Sequence, residues 1–227
     1  MTEERRRQDR RQGDRSPAAA PAPAPHRVYI LPLWVRCWHW TNALLIITLI
    51  LTGGSLHFST TLIPHFEFSL AVRIHNVAGL SLVFLYIFFV IANAVTGNWW
   101  QFVPRPPGVL ERCIKQTRFY LWGVFKGESE PYAVTPEENF NALQALTYWF
   151  MIYLVLPTIV VSGLIFMFPQ LAPTEVFGVD GLLPVAVVHY VSATIVVAFV
   201  IAHVYLCTFG AKITTTFRTM ITGWHEH

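Results

Sequence analysis

Charge is scarce in this sequence. Of 227 residues only 13% are charged, while 54% are hydrophobic and 15% aromatic. A soluble surface on a chain of this size carries about 25% charged residues. Cysteine is scarce too: Cys37, Cys113 and Cys207 are the whole set. None of them forms a C-x-x-C or C-x-x-C-H pattern, so a zinc ribbon, a thioredoxin-type site and a covalently attached haem have no basis here. Carboxylates are missing from the interior of the long apolar stretches. That disfavours an ion transporter, which usually carries Asp or Glu at the membrane midplane.

What is present is apolar length. Four stretches, about 33–56, 74–98, 143–168 and 183–210, each supply the roughly 20 residues a helix needs to cross a bilayer. Barrel strands would be half as long and alternate in polarity. The expected fold is all-α, an integral membrane bundle of four transmembrane helices. Residues 1–26 read differently: arginine-rich, then Pro/Ala-rich, a composition that cannot bury enough apolar surface to fold. The remaining 27–227 form the membrane domain.

Orientation follows from Lys and Arg. Fifteen of the sixteen fall in the N-terminal segment, the connection between spans two and three, or the C-terminal tail. Only Arg73 falls on the other side. The positive-inside trend therefore predicts both termini in the cytoplasm of a bacterial inner membrane. The stretch Gly108–Phe125 mixes cations with Leu, Ile, Phe and Trp and is expected to lie along the inner surface as an amphipathic helix, as is the tail from Lys212 to Trp224.

Ionisable residues inside a membrane are costly, so the intramembrane histidines ask for a function. His39 lies early in span one and His203 late in span four, both toward the inner side. His75 starts span two and His189 starts span four, both toward the outer side. His189 and His203 are fourteen residues apart, within about 40° of a whole number of turns, so they share one helix face with about 21 Å between them. Two depths with two imidazoles at each suit two stacked haems, and bis-histidine iron carries electrons rather than binding O₂. His57 is five full turns after His39 and competes with His75 as the outer ligand. Gly53 repeats the face of His39 at the other depth, Gly79 follows His75 by one turn, and Gly163 falls in span three. A glycine lets a flat macrocycle approach the backbone.

The order RCWHW (Arg36–Trp40), TG (Thr52–Gly53), RIHNVAG (Arg73–Gly79), FNALQALTYW (Phe140–Trp149), SG (Ser162–Gly163) and the His189/His203 pair resembles the di-haem cytochrome b subunits of membrane-bound respiratory oxidoreductases. Formate dehydrogenases, Ni-Fe hydrogenases and thiosulfate reductases carry such subunits, and the short first loop and MITGWHE ending resemble the thiosulfate reductase branch most. The resemblance covers 27–227. It implies two b haems, an inner one on His39 and His203 and an outer one on His75 and His189. It implies a quinone, menaquinone or ubiquinone, beside the inner haem, with Asn141 and Gln144 as candidate contacts. The formate dehydrogenase motif has a Gly and a Lys that are Leu143 and Ala145 here. Asn141 equally suits a helix N-cap. Arg36 and Arg73 are candidates for haem propionates, and Glu137 and Glu138 for proton transfer. The implied partner is an outer-face oxidoreductase subunit of iron–sulfur, molybdenum or multihaem type, with no nucleic-acid partner. A self-sufficient membrane reductase of the same fold is the alternative.

Overall fold

A computed structural model of the chain describes residues 27–58, 67–105, 107–132, 139–209 and 213–226. Expectations for the tail 1–26, Glu137 and Glu138 lie outside these residues.

Four helices are long and apolar enough to cross a membrane: α1 (Leu33–His57), α2 (Phe68–Thr96), α4 (Ala142–Met167) and α5 (Leu182–Leu206). Their hydroxyl residues close back on the helix. Thr41, Thr48, Ser81, Thr147 and Thr194 each donate to the carbonyl four residues earlier, which satisfies the hydroxyl where no water is at hand. α2 stops at Gly97, whose φ of +70° is the left-handed helix-ending conformation that side chains resist. α4 widens into a π turn over Met151–Val155, just before Pro157. Pro157 has no N–H to return to the preceding turn, and the wider turn absorbs that loss.

The boundaries correct two expectations. The second span begins at Phe68 rather than residue 74. The run Phe68–Val72 is compatible with helix. Arg73 folds its guanidinium back on Ser69, one turn earlier, so a single cation does not delay the helix. His75 is therefore two turns inside the span. The last span ends at Leu206 rather than Gly210.

α1 packs closely on α2, and α4 on α5, while contacts between the two pairs are sparse. Two clusters fill the centre. Phe89, Phe102 and Ile152 form one, with Trp38 stacked on Phe89 at 3.9 Å. Met151, Val155 and Val196 form the other. Small polar residues, Thr52, Ser55, Ser162 and Ser192, are buried along the helix contacts, as in membrane bundles generally.

The two ends of the described chain, Arg27–Tyr29 and Trp224–Glu226, meet at one end of the bundle, here the terminal face. β1 (Arg27–Tyr29) pairs antiparallel with β4 (Trp224–Glu226), Tyr29 opposite Trp224. This small sheet is a departure from the purely helical expectation. Between α2 and α4 lies α3 (Val109–Arg118), continued by a π turn over Phe119–Gly123, and after α5 comes α6 (Thr215–Thr222), so both amphipathic segments are helical as expected. Arg36 donates to the Ile221 carbonyl and Trp40 to that of Met220, which ties α6 to α1. At the opposite end, the hairpin face, β2 (Glu175–Val176) and β3 (Val179–Asp180) form a tight hairpin.

Candidate functional site

The four intramembrane histidines come from three helices, two of them from α5, and the fold brings them together two by two. His75 is the eighth residue of α2 and His189 the eighth of α5. Both helices start at the hairpin face, so the two histidines reach the same depth. Their ring centroids are 6.4 Å apart. Toward the terminal face, His39 of α1 and His203 of α5 stand 6.2 Å apart.

These separations admit one metal between each pair. Two metal–nitrogen bonds of about 2 Å, with roughly 1 Å from each nitrogen to its ring centre, span about 6 Å. The donor set says which metal chemistry fits. No group of three or more His, Cys, Asp or Glu side chains gathers among the described residues. Two imidazoles cannot complete a zinc site, which takes four protein ligands or three and a water. They do complete an iron whose other four positions come from a porphyrin. The residues present therefore fit haem at both depths.

The hairpin-side pair is held from behind. His75 Nδ1 lies 2.9 Å from Thr52 Oγ1, and His189 Nδ1 lies 2.9 Å from Ser162 Oγ. The glycines follow directly in sequence. A Cβ on Gly53 would meet His75 Cε1 at 3.3 Å, and one on Gly163 would meet His189 Cε1 at the same distance. Gly79 has open space at its Cβ position. Phe166 presents an edge to His189. At the terminal-side pair, Phe199 stacks on His203 at 5.6 Å and Tyr148 meets it edge-on at 6.3 Å. His39 Nδ1 is buried without a hydrogen-bond partner.

His57 does not join either pair. It is exposed and stacks on Tyr190 at 4.6 Å. Arg36 turns to the C-terminal segment, and Arg73 to its own helix. Asn141 and Gln144 form a reciprocal cap of α4: Asn141 Oδ1 accepts from the Gln144 amide at 2.9 Å, and Gln144 Oε1 from the Asn141 amide at 3.1 Å. Asn141 Nδ2 donates to Tyr120 Oη at 3.0 Å. Burial pushes the Tyr120 hydroxyl above its ordinary range.

The sequence marks the four histidines, Gly53 and Gly163; Thr52, Ser162 and Tyr148 stand in its motifs without a role of their own, and Phe199 carries no signal. A signal for Thr52 and Ser162 was present: a hydroxyl residue stands immediately before each of the two glycines that the histidine rings touch.

Residues 30–223 match the family model of prokaryotic cytochrome b561. YdhU of Escherichia coli (strain K12), whose name calls it a cytochrome, is 38% identical over 202 residues, spanning 88% of this chain and 76% of that protein. Paired intramembrane histidines on four apolar helices are the arrangement a membrane b-type cytochrome requires. The chain is an integral membrane protein that belongs to the prokaryotic cytochrome b561 family of electron-transferring b-type cytochromes.

Proposed function

We propose that this cytochrome is a di-haem membrane subunit, of the thiosulfate reductase type, that passes electrons between a membrane quinone and a redox partner on the outer face. The observation that carries the reading is the pair of depth-matched imidazole couples, 6.2 and 6.4 Å apart, at two levels of one bundle. Its proposed setting is the bacterial inner membrane with both termini cytoplasmic, following the placement of Lys and Arg.

Each haem, when bound, supplies a reversible one-electron iron couple. The protein's part is placement and insulation. His39 with His203, and His75 with His189, hold the two groups. Phe199, Tyr148 and Phe166 wall the imidazoles from water. Met151, Val155 and Val196 keep the layer between the levels apolar.

Quinone is expected at the terminal side, near His203. Tyr120, Asn141 and Gln116 gather there. Gln116 is fully buried, and its amide lies against Tyr120 without a well-aligned hydrogen bond. Asn141 and Gln144 spend their side-chain oxygens on the cap of α4, which leaves the Gln144 Nε2 protons as the donors for a quinone oxygen there. The partner is proposed as an iron–sulfur, molybdenum or multihaem oxidoreductase subunit, because this chain offers two haem sites and no group of metal-ligating residues beyond them among the described residues.

The test is quinol reduction in proteoliposomes. Purified chain is titrated for b haem by pyridine haemochrome, then mixed with a menaquinol or ubiquinol analogue. Two haems per chain, reduced by the quinol, support the reading. Haem that quinol cannot reduce removes the quinone role, and a folded chain that takes up no haem removes the cytochrome role with it.

A further inference from the structure

Thr52 Oγ1 donates to the Thr48 carbonyl at 2.7 Å, shared with that of Leu49 at 3.3 Å. A hydroxyl carries one proton. Its contact with His75 Nδ1 at 2.9 Å must then be one in which the oxygen accepts and the imidazole N–H donates. Ser162 repeats the arrangement on the other helix pair. Its Oγ donates to Thr158 at 2.8 Å and Ile159 at 3.1 Å, and faces His189 Nδ1 at 2.9 Å. Both hydroxyl residues are 4% exposed. Both imidazoles therefore carry their proton on Nδ1 and keep the lone pair on Nε2, the nitrogen left for a metal.

The terminal-side pair is built differently. His39 Nδ1 is buried with no partner, and the polar atom recorded against His203 is the Cys207 sulfur, 3.9 Å from Nε2.

We propose that Thr52 and Ser162 are positioning residues for the haem at the hairpin side. They lock the tautomer and ring plane of His75 and His189. By accepting the Nδ1 proton they also make each imidazole a stronger donor to iron. A stronger donor favours the ferric state, so the two hydroxyls lower the midpoint potential of that haem and leave the other untouched. The proposal rests on the bis-histidine reading above. The simpler role is that of Thr41 or Thr147, a hydroxyl that only satisfies itself on its own helix. That role predicts no change at either haem.

The experiment is a spectroelectrochemical titration of the full-length chain in nanodiscs, with low-temperature EPR of the oxidised haems, for wild type, Thr52→Val, Thr52→Ser and Ser162→Ala. In Thr52→Val and Ser162→Ala one potential is expected to move upward, with an altered low-spin signal, while the other stays at its wild-type value. Thr52→Ser, which keeps the hydroxyl, keeps both. Unmoved potentials with both haems retained overturn the proposal, as does an equal movement of both. If Thr52→Val sheds a haem, Thr52→Ser decides: wild-type potentials support the hydroxyl's role, and the same loss shows that only packing matters. A wild type without haem refutes the bis-histidine reading instead.

Discussion

His39 and His203 face each other at 6.2 Å although one opens the first span and the other closes the last. Removing either leaves a single imidazole at that level, and the second level keeps its own pair. His203→Ala is expected to lower haem content by about half, and His189→Ala likewise, while His57→Ala leaves it unchanged because His57 stacks on Tyr190 instead. Pyridine haemochrome counts on purified variants check all three.

The glycines at the hairpin-side pair separate stability from cofactor binding. Alanine in place of glycine inside a helix gains about 0.5–1 kcal/mol from reduced backbone freedom. At Gly53 the new methyl would press on His75 at 3.3 Å. Gly53→Ala is thus expected to melt no lower than wild type in the haem-free state yet to show a perturbed spectrum of one haem. Gly53→Val is expected to lose that haem. Thermal melts alongside reduced-minus-oxidised spectra read the two effects independently.

Asn141 caps α4 and anchors Tyr120. Asn141→Ala is expected to cost about 0.5–2 kcal/mol, the usual range for a lost cap. Asn141→Ser restores most of it, because a serine oxygen can take the Gln144 amide. Differential scanning fluorimetry in detergent checks the order. If quinol reduction falls in Asn141→Ala and returns in Asn141→Ser, the cap accounts for the loss.

Burial raises the Tyr120 hydroxyl above its ordinary value, so the folded chain prefers it protonated. Its stabilising contribution is fully present below the unfolded tyrosine value of about 10 and is lost as pH rises through the folded one. Tyr120→Phe is expected to flatten the alkaline fall of melting temperature while lowering the plateau through the lost bond to Asn141. Melts from neutral to alkaline pH measure both.

Two arginines should differ sharply. Arg118 meets Glu128 at 3.3 Å with side chains 69% and 42% exposed, so Arg118→Ala is expected to cost well under about 1 kcal/mol. Arg36 instead donates to a backbone carbonyl that docks α6 on α1. Arg36→Ala is expected to make the C-terminal segment the first site of limited proteolysis, read by mass spectrometry.

Much of this molecule is legible in one dimension because a bilayer imposes strict local rules. A helix must satisfy its own backbone and needs a fixed apolar length, so four spans can be counted from Leu33 to Leu206. A buried imidazole is expensive, which marks His39, His75, His189 and His203 before any contact is known. Helical periodicity puts His189 and His203 on one face. What periodicity does not carry is which helix faces which, or what stands behind each ring. Competition between His57 and His75 is decided by the seating of α2 against α5, because His75 enters the pair two turns inside a helix that begins earlier than its apolar run suggests. The hydrogen bonds of Thr52 and Ser162 exist only because α1 packs on α2 and α4 on α5 closely enough for a hydroxyl to reach across, and that closeness depends on glycine at the next position. The sequence by itself determined the membrane class, the four spans and the four candidate ligands, since each follows from the local cost of burying polar groups. Only the tertiary structure decided that His75 rather than His57 faces His189 and which hydroxyls stand behind the rings, since those depend on distances between helices that no local rule specifies.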